Sequence, residues 1–302
     1  MRCAQLGLGL VLTLGLATAV PRAQQTRQIW ARVADLSGEA ITGLSADTFT
    51  IVEDGVKCRT LKAEPIQWPT RVTVLVDNGG KSGDYLLNLR NGLRGFMKEV
   101  PGDVEMSLLT LAPQPRWVVR PTTDPQELAK GVGLVTPNAS SGKFFDGLLE
   151  AADRAAKDKG NFFPVFVVVA SSLGTSDPPL ENQYKRLQRE LVDRGASVHF
   201  VLLSVSSQSV GEVTGVFQSN MGNQLTAMTG GRFEEINAAT RLDTLLPEIG
   251  KRIAQSVAKQ KYEYRLTFEA PKGALASAAP TIGVEVAIKG ATIDLSADGH
   301  LP

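Results

Sequence analysis

One carboxylate in this sequence stands where a ligand site is expected. Residues 71–82 read Arg-Val-Thr-Val-Leu-Val-Asp-Asn-Gly-Gly-Lys-Ser, an apolar strand pattern that ends at Asp77 and is followed at once by a helical pattern. In open α/β sheets, ligands bind at the carboxyl ends of the strands, so an acidic side chain at this point is a candidate for binding a cation or pairing with a basic group. The same loop supplies further candidates: Asn78, Gly79, Lys81 and Ser82.

The glycines and lysine after Asp77 invite comparison with a phosphate-binding loop. That loop requires a glycine five residues before the Gly-Lys pair, and Leu75 occupies this position here. A second Gly-Lys pair, at 142–143, lacks both the earlier glycine and the following hydroxyl. The pattern therefore disfavours a nucleotide site. A simpler anion site stays open, in which backbone amides at the helix start act together with Lys81 and Ser82.

Side chains for nucleophilic or acid–base catalysis are few. The two histidines are His199, inside an apolar strand pattern, and His300, close to the C-terminus. His199 is typical of a core histidine, and Cys58 is typical of a small buried side chain without a catalytic partner. No Gly-x-Ser-x-Gly elbow surrounds Ser171 or Ser172. We therefore expect that the protein is not an enzyme.

Composition narrows the classes of partner. The chain has 302 residues, of which 43% are hydrophobic, and its 32 basic side chains stand against 31 acidic ones. This is an ordinary globular composition with room for one full domain and a smaller unit. Near-zero net charge, and the lack of a basic run interleaved with aromatics, argue against nucleic acid and against an anionic membrane surface as partners.

The first 23 residues have the pattern of a secretory signal peptide. Met1-Arg2 is a short positive region, Leu6–Leu16 is an apolar run, and Ala17-Thr18-Ala19 fits the small-x-small cleavage rule, with cleavage after Ala23 as the alternative. The apolar run is too short for a permanent membrane span. We therefore expect export, to the periplasm or beyond, with no stable membrane span.

Three regions follow this leader. Residues 24–66 and 261–302 show short alternating β patterns, whereas 67–260 alternates strands with helices. Repeated alternation predicts an α/β fold with a doubly wound, mostly parallel, Rossmann-like sheet. The strands expected in the middle region are Arg71–Asp77, Val104–Leu111, Trp117–Arg120, Val165–Ala170, Val198–Leu203 and Arg232–Ile236. The helices expected there are Tyr85–Val100, Pro125–Val132, Lys143–Asp158, Asn182–Arg194, Gln224–Met228 and Leu242–Lys259.

The two outer regions are expected to combine into a small β-sandwich-like unit, which would bring the chain ends together. Their expected strands are Ile29–Val33, Phe49–Val52, Tyr262–Phe268 and Ile282–Ile288. Pro65 and Pro69, on either side of Trp68, predict a linker to the middle region. A polar stretch at Ser204–Val210 predicts a mobile loop at the edge where the parallel strands end, called the upper face below.

Several motifs together resemble one family. Asp35-Leu-Ser-Gly38 and the segment 43–55, which ends in Val-Glu-Asp-Gly, are similar to the opening of exported von Willebrand factor A-related proteins abundant in Acidobacteria. The strand before Asp77 resembles the first strand of the von Willebrand A domain that follows in this family. Segments 225–233, Leu-Thr-Ala-Met-Thr-Gly-Gly-Arg-Phe, and 262–268 are similar to the domain's end and to the family's tail strand. The resemblance covers essentially the whole mature chain and implies a von Willebrand A-type fold for the middle region.

The resemblance also implies a site and shows where this chain departs from it. Many A domains hold a divalent cation with a D-x-S-x-S loop, a Thr from a second loop and an Asp from a third, since hard cations prefer oxygen ligands. Asp77 matches the first position, but Gly79 and Lys81 replace the serines and Gly142 replaces the Thr. The remaining candidates come from the second and third loops: Ser140, Ser141, Lys143, Ser171 and Ser172. The resemblance therefore implies a degenerate site at which Asp77 is a vestige and no metal or other cofactor is bound.

Two lysines enter this degenerate site in the same comparison. Lys81 and Lys143 would both lie near Asp77, where an ammonium group can pair with the carboxylate but would repel a cation. One hypothesis is that Lys81, with or without Lys143, is a built-in counter-charge that replaces the metal. The alternative is that both lysines extend into solvent over an eroded site.

These observations favour an exported, adhesion-type module that binds a protein partner through the upper face, without metal. A first alternative is a scaffold whose A domain binds no ligand and whose β unit makes the contacts. A second is a binder of a small anion through Lys81 and Ser82.

Overall fold

The computed structural model describes residues 26–66, 68–173, 181–204, 215–260, 263–269 and 281–296. The strands in these ranges are β1 (Thr26–Ala34), β2 (Phe49–Glu53), β3 (Val56–Ile66), β4 (Thr70–Val76), β5 (Glu105–Thr110), β6 (Arg116–Thr122), β7 (Phe163–Ser171), β8 (Ser197–Leu203), β9 (Phe233–Ile236), β10 (Glu263–Glu269), β11 (Ile282–Val286) and β12 (Thr292–Ser296). The helices are α1 (Leu86–Glu99), α2 (Pro125–Leu134), α3 (Phe144–Lys157), α4 (Glu181–Asp193), α5 (Val216–Thr229) and α6 (Leu242–Gln260).

The central sheet confirms the predicted α/β architecture. Its strand order is β6-β5-β4-β7-β8-β9, and every neighbouring pair is parallel except β5 with β6. Along β4 the side chains of Val72, Val74 and Val76 join one buried cluster with α1 and α6, whereas Leu75 joins another with α3. Apolar residues on both faces are what a parallel sheet covered by helices on two sides requires.

Most predicted elements of this sheet are found within two residues of their expected ends, but α5 is a correction. The sequence predicted a helix only at Gln224–Met228, whereas α5 starts at Val216 and is preceded by Gly215 at φ 87°. After Val216 and Phe217, polar and small residues predominate in its first two turns, so its apolar periodicity is weak there even though Met221 is buried. The predicted mobile loop at Ser204–Val210 lies outside the described residues, apart from Ser204.

A second sheet combines strands from both ends of the chain. Its order is β11-β2-β3-β10-β1-β12, and all neighbouring pairs are antiparallel. Its core contains Ile29 and Val33 of β1 together with Leu266 and Phe268 of β10. The register describes one continuous sheet, so the sandwich-like arrangement and the domain boundaries stay predictions.

The expected linker at Pro65–Pro69 is wrong at its first residue, because Pro65 lies inside β3. Pro65 is opposite Tyr264 of β10, and β2 pairs with β3 only between Val56 and Cys58. One side of β3 therefore has no partner strand at Pro65. Proline is tolerated there because no backbone N–H is needed to pair with a neighbouring strand. The sequence analysis also missed β12, a short edge strand paired with β1.

Aromatic side chains connect the two sheets. The rings of Trp30 and Trp68 both contact Phe163 at the start of β7, with centroids 5.4 and 5.3 Å away, and they contact each other at 5.4 Å. The guanidinium of Arg265 lies 5.4 Å from the Trp68 ring centroid. This cluster lies at the end of the central sheet where the parallel strands begin. The second sheet therefore contacts the end opposite the upper face and does not cover the upper face there.

Candidate functional site

The candidate loops meet at one edge of the central sheet because its strands are parallel. Val76, the last residue of β4, is paired with Thr110 of β5 on one side and Val169 of β7 on the other. Asp77 follows immediately, and its backbone N–H donates to the carbonyl of Val169 at 2.8 Å. The upper face thus comprises the loops after β4, β5 and β7 and the segment 135–143 that leads into α3.

The carboxylate of Asp77 is buried and fully engaged by neutral donors. Only 3% of the residue is exposed. Its Oδ1 accepts the backbone N–H of Gly79 at 2.8 Å, and its Oδ2 accepts the hydroxyl of Ser171 at 2.7 Å and the N–H of Ser171 at 3.2 Å. Hydrogen bonds to an ionised acceptor are the stronger class, so this network ties the loops after β4 and β7 to each other.

Asn78 ties two further loops together. Its side-chain Nδ2 donates to the carbonyl of Thr136 at 2.9 Å, and its Oδ1 accepts the N–H of Ala112 at 2.9 Å. Its backbone carbonyl accepts the hydroxyl of Ser82 and the N–H of Asn138, both at 2.7 Å. The side chain of Asn78 therefore serves as a brace between the β5–β6 turn and the segment after α2.

Tyr85 is a member of the site that the sequence analysis did not single out. Its hydroxyl donates to the backbone carbonyl of Asp77 at 3.2 Å. Burial, followed by the nearby negative charge of Asp77, raises the pKa of Tyr85 above its usual range. The residue stood at the first position of a predicted helix, a place that indicates proximity to the preceding loop but not a hydrogen bond to it.

Two glycines allow the loops to close over Asp77. A Cβ atom at Gly142 would lie 2.9 Å or less from all three terminal atoms of the Asp77 carboxylate. A Cβ atom at Gly79 would lie equally close to backbone atoms of Ser140, Ser141 and Gly142. Since real side chains do not approach so closely, this packing requires glycine at positions 79 and 142.

Exposure divides the predicted site residues into two groups. The buried members are Asp77, Asn78, Gly79, Ser82, Ser171 and Ser172. The accessible members are the exposed Lys81 and Ser140 and the half-buried Ser141 and Lys143. The buried group holds the loops together, and only the accessible group can contact another molecule without a rearrangement.

Neither lysine pairs with Asp77. Within the described residues, the ion pairs that involve lysine are those of Lys185 and Lys251, so Lys81 and Lys143 do not supply the counter-charge that one hypothesis assigned to them. Neutral N–H and O–H groups bind the Asp77 carboxylate instead. This geometry agrees with the alternative, in which the lysines extend away from the carboxylate.

The anion site at the helix start does not form as expected. Ser82 is fully buried, and both its hydroxyl and its backbone N–H donate to carbonyls inside the loop. A 3₁₀ turn occupies Ser82–Asp84, and α1 begins only at Leu86. The free amides of the helix therefore lie beyond the position that Lys81 and Ser82 were expected to share.

The remaining reactive side chains are buried away from the upper face. His199 is 4% exposed, and its Nδ1 accepts the N–H of Arg232 at 3.2 Å. Burial, with smaller effects from the Arg252 and Arg232 charges, lowers its pKa to about 4. Cys58 is a free buried thiol in the second sheet, and burial raises its pKa. Neither is presented to a substrate.

Three exposed apolar side chains surround the upper face. The large hydrophobic residues that the described part of the chain exposes are Leu36, Val56, Leu87, Leu134 and Val216. Leu87 is two residues from Tyr85, and Leu134 lines a cleft with Asn78. Val216 follows Gly215, where a Cβ would be 2.9 Å from Cβ of Ser172. We call Leu87, Leu134 and Val216 the apolar rim.

Comparison with known proteins shows which structures share this fold. No protein-family model and no curated protein matches the chain. A solved von Willebrand factor type A structure from Catenulispora acidiphila matches with a TM-score of 0.50 at 10% identity, over 91% of this chain and 73% of that one. The pilus adhesin SpaC from Lactobacillus rhamnosus GG, in an open conformation, matches with a TM-score of 0.50 at 11% identity, over 77% of this chain and 39% of that one. The similar structures are von Willebrand A-type proteins, including bacterial ones, and the likeness shows the fold alone.

The residues around Asp77 do not fit the divalent cation that many A domains bind. Such a cation needs several oxygen ligands whose lone pairs point at it. Asp77 faces N–H and O–H donors instead, and the space beside its carboxylate at Gly142 is too small even for a Cβ atom, so a side-chain ligand does not fit there. Within the described residues, no group of three or more His, Cys, Asp or Glu side chains is placed to hold a metal. No helix in the same ranges is long and apolar enough to cross a membrane.

Proposed function

We propose that this von Willebrand A-type chain is a protein-interaction module that binds a protein partner through the upper face of its central sheet. The observation that carries the proposal is the apolar rim: three of the five large hydrophobic side chains that the described residues expose surround this one edge. Burying a leucine or valine side chain in an interface contributes about 1.5–3 kcal/mol, so these exposed side chains can stabilise a complex.

The rim residues lie at the ends of α1, α2 and α5, next to the loops of the upper face. The hydrogen bonds of Asp77 and Asn78 connect the four segments from which the upper face is built. A surface that does not have to be ordered on association loses less conformational entropy when it binds. The exposed Lys81 and Ser140, in loops of the same face, supply polar groups. An attachment role would also agree with the pilus adhesin among the similar structures.

Site-specific photo-crosslinking tests this proposal. A benzophenone amino acid would replace Leu87 or Val216 in the protein produced in its native host, with Leu36, 84% exposed in the turn after β1 of the second sheet, as the matched control position. We expect both rim positions to give the same crosslinked partner and the Leu36 position to give none. Crosslinks from Leu36 alone would favour the alternative in which the second sheet makes the contacts, and would contradict the proposal.

Partner binding is proposed to need no metal and no other cofactor. Direct hydrogen bonds join the loops that a cation would bridge, so neither the fold nor the crosslink should depend on divalent ions. Calorimetric titration with Mg²⁺, Mn²⁺ and Ca²⁺, and thermal melts in each ion and in EDTA, should show flat heats and unchanged melting temperatures. A cation that binds tightly and raises the melting temperature would show that the loops open to expose other oxygen ligands.

The remaining features belong to the same proposal. We propose export through the leader at residues 1–23, which lies outside the described residues, and a separate sandwich-like unit built from the two chain ends. We also propose membership of the Acidobacteria-related exported family, with a degenerate cation site, and the absence of catalysis. Sequencing the N-terminus of the protein recovered from its native host tests the first point, because a processed chain should begin at Val20 or at Gln24.

A further inference from the structure

A cleft lies on the upper face beside Asp77. It has a volume of about 580 Å³ and opens between the β5–β6 turn and the end of α2. Pro113, Pro115 and Trp117 form one wall, Leu134 lies on the other, and Asn78 lines the cleft together with them. The region is separate from the Asp77 carboxylate, whose oxygens are both engaged inside the loops.

Both walls of this cleft are fixed by hydrogen bonds. Asn78 bonds to Ala112 on one wall and Thr136 on the other. The guanidinium of Arg90 donates to the carbonyls of Gly133 and Val135, at 3.0 and 2.6 Å, and so holds the segment that displays Leu134. The cleft is therefore a preformed feature and not a gap between independent loops.

The lining has one charged side chain, and it is positive. Among the described residues that line the cleft, Arg116 is the single ionisable one, and no Asp or Glu is present. Arg116 is exposed, and none of the ion pairs in the described part of the chain includes it. Glu150, the carboxylate that accepts the Trp117 indole N–H at 2.8 Å, is not part of the lining.

We propose that this cleft binds an acidic peptide segment of the protein partner, with a carboxylate on Arg116 and an adjacent apolar side chain against the proline, Trp117 and Leu134 walls. A guanidinium presents a planar pair of donors that matches a carboxylate in bidentate geometry. The apolar walls exclude water from one side of that pair, which strengthens it relative to a fully exposed pair. The inference rests on the proposed protein-interaction function and specifies the chemistry of the partner.

The shape and polarity of the cleft favour a peptide over a sugar. Among the described residues that line the cleft, Trp117 is the one aromatic side chain, and the guanidinium of Arg154 covers one of its two faces at 5.0 Å from the centroid. Of the two buried polar side chains in the lining, Asn78 is engaged at both ends of its amide by backbone groups, and Thr110 donates its hydroxyl to the carbonyl of Arg116. Prolines and a leucine beside one guanidinium instead match an extended segment with alternating acidic and apolar residues.

Two blocked synthetic peptides test the proposal: Leu-Glu-Pro-Asp-Leu and its neutral counterpart Leu-Gln-Pro-Asn-Leu. Each would be titrated into the ¹⁵N-labelled protein while the backbone amides of Gln114 and Leu134 and the indole N–H of Trp117 are followed by NMR. We expect saturable shifts at these signals, with the acidic peptide binding at least tenfold more tightly than the neutral one. Equal binding of the two peptides, or shifts confined to other parts of the protein, would overturn the proposal.

Arg116 and its strand neighbour Arg120 form a matched pair for mutation. Both are exposed on β6, but only Arg116 lines the cleft. Arg116→Glu should weaken binding of the acidic peptide at least tenfold, and Arg116→Lys should weaken it less. Arg120→Glu should change the affinity by less than twofold. Equal losses from Arg116→Glu and Arg120→Glu would show a general charge effect and no site.

This test separates the inference from the function on which it rests. Neither Leu87 nor Val216 lines the cleft, so their crosslinks report on the upper face whether or not the peptide binds. Crosslinks at those positions without discrimination between the two peptides would remove the acidic-segment inference and keep the protein-interaction function. Peptide discrimination without rim crosslinks would contradict the proposed function instead.

Discussion

Two buried carboxylates in this molecule are stabilised in different ways. Asp77, in the central sheet, is 3% exposed and accepts three hydrogen bonds from neutral groups of Gly79 and Ser171. Glu53, in the second sheet, is 1% exposed and pairs with the guanidinium of Arg27 at 2.8 Å. Its Oε2 is buried and has no hydrogen-bond partner in the described part of the chain.

The difference shows what each carboxylate does for its sheet. Three donors from two loops share the charge of Asp77, so this residue joins segments that are distant in sequence. Glu53 depends on a single cation, and removing the partner of a buried charge is more costly than removing one donor among several. The Asp77 arrangement also leaves neither carboxylate oxygen free to bind a cation at the upper face.

Arg27→Met should destabilise the protein by about 4 kcal/mol, because Glu53 would remain buried without its counter-ion. Urea unfolding measures the loss. Arg59→Met is the matched control on the same sheet, since the Arg59–Glu269 pair is 3.6 Å apart and Arg59 is 76% exposed. The control should cost less than about 1 kcal/mol. Adding Glu53→Gln to Arg27→Met should restore part of the stability, and equal costs for the two arginines would contradict the contrast.

Asp77→Asn should cost about 3 kcal/mol, since the side chain keeps its size but one of its two acceptors becomes an N–H₂ donor that faces donors of the loop. Thermal and urea unfolding of this variant are compared with those of Asp84→Asn, an exposed carboxylate in the same loop that should be nearly neutral. If Asp77→Asn is as stable as Asp84→Asn, the loops are held by packing and not by the carboxylate.

Gly142→Ala should cost about 2.5 kcal/mol, because the added methyl group overlaps the Asp77 carboxylate and the loop has to move. Gly133→Ala is the control: a Cβ there would meet nothing within 4 Å, and alanine is the better helix former. A family-type Thr at position 142 should therefore not simply restore a cation site. Tight Mg²⁺ binding by a variant with only that substitution would contradict the packing argument.

The stability of the protein at acidic pH depends on His199 as well as on the carboxylates, and the contribution of His199 can be separated by mutation. The pKa of His199 falls from its ordinary 6.5 to about 4 in the fold, so between these values the unfolded chain binds a proton that the folded chain does not. Stability is therefore lost as the pH falls through this window, by about 2 kcal/mol between pH 7 and pH 5. His199→Asn, which keeps an acceptor for the N–H of Arg232, should remove this part of the slope. An unchanged slope in the variant would assign it to the carboxylates.

Tyr85→Phe should cost about 1 kcal/mol, because it removes one hydrogen bond to the backbone carbonyl of Asp77 and leaves the aromatic packing in place. Tyr184→Phe, which removes a half-exposed hydrogen bond to Gln224, is the control and should cost less. Differential melting resolves an effect of this size when both variants are measured together. A larger loss at Tyr184 would show that the Tyr85 hydroxyl is not part of the network.

The parts of the fold that sequence predicted well are those with strong local patterns. The Val165–Val169 run is buried in β7, and the apolar run before Asp77 forms β4. β3 was missed because its exposed charged residues, such as Lys57 and Arg59, interrupt the apolar pattern and only Cys58 and Ile66 are buried. The α5 start was missed for a similar reason. An edge or half-covered element packs on one side, so it needs few apolar residues and its sequence shows no clear periodic pattern.

Three features could be predicted from residue types and their spacing: an acidic side chain at the end of a parallel strand, glycines in the loops beside it, and the alternation of strands and helices. Which groups bind the Asp77 carboxylate could be learned only from the tertiary structure. The donor Ser171 is 94 residues from Asp77, and the cleft walls join Asn78 to Thr136 across 58 residues. Such contacts depend on which strands become neighbours in the sheet, and strand order is set by the packing of the whole core rather than by any segment of the chain.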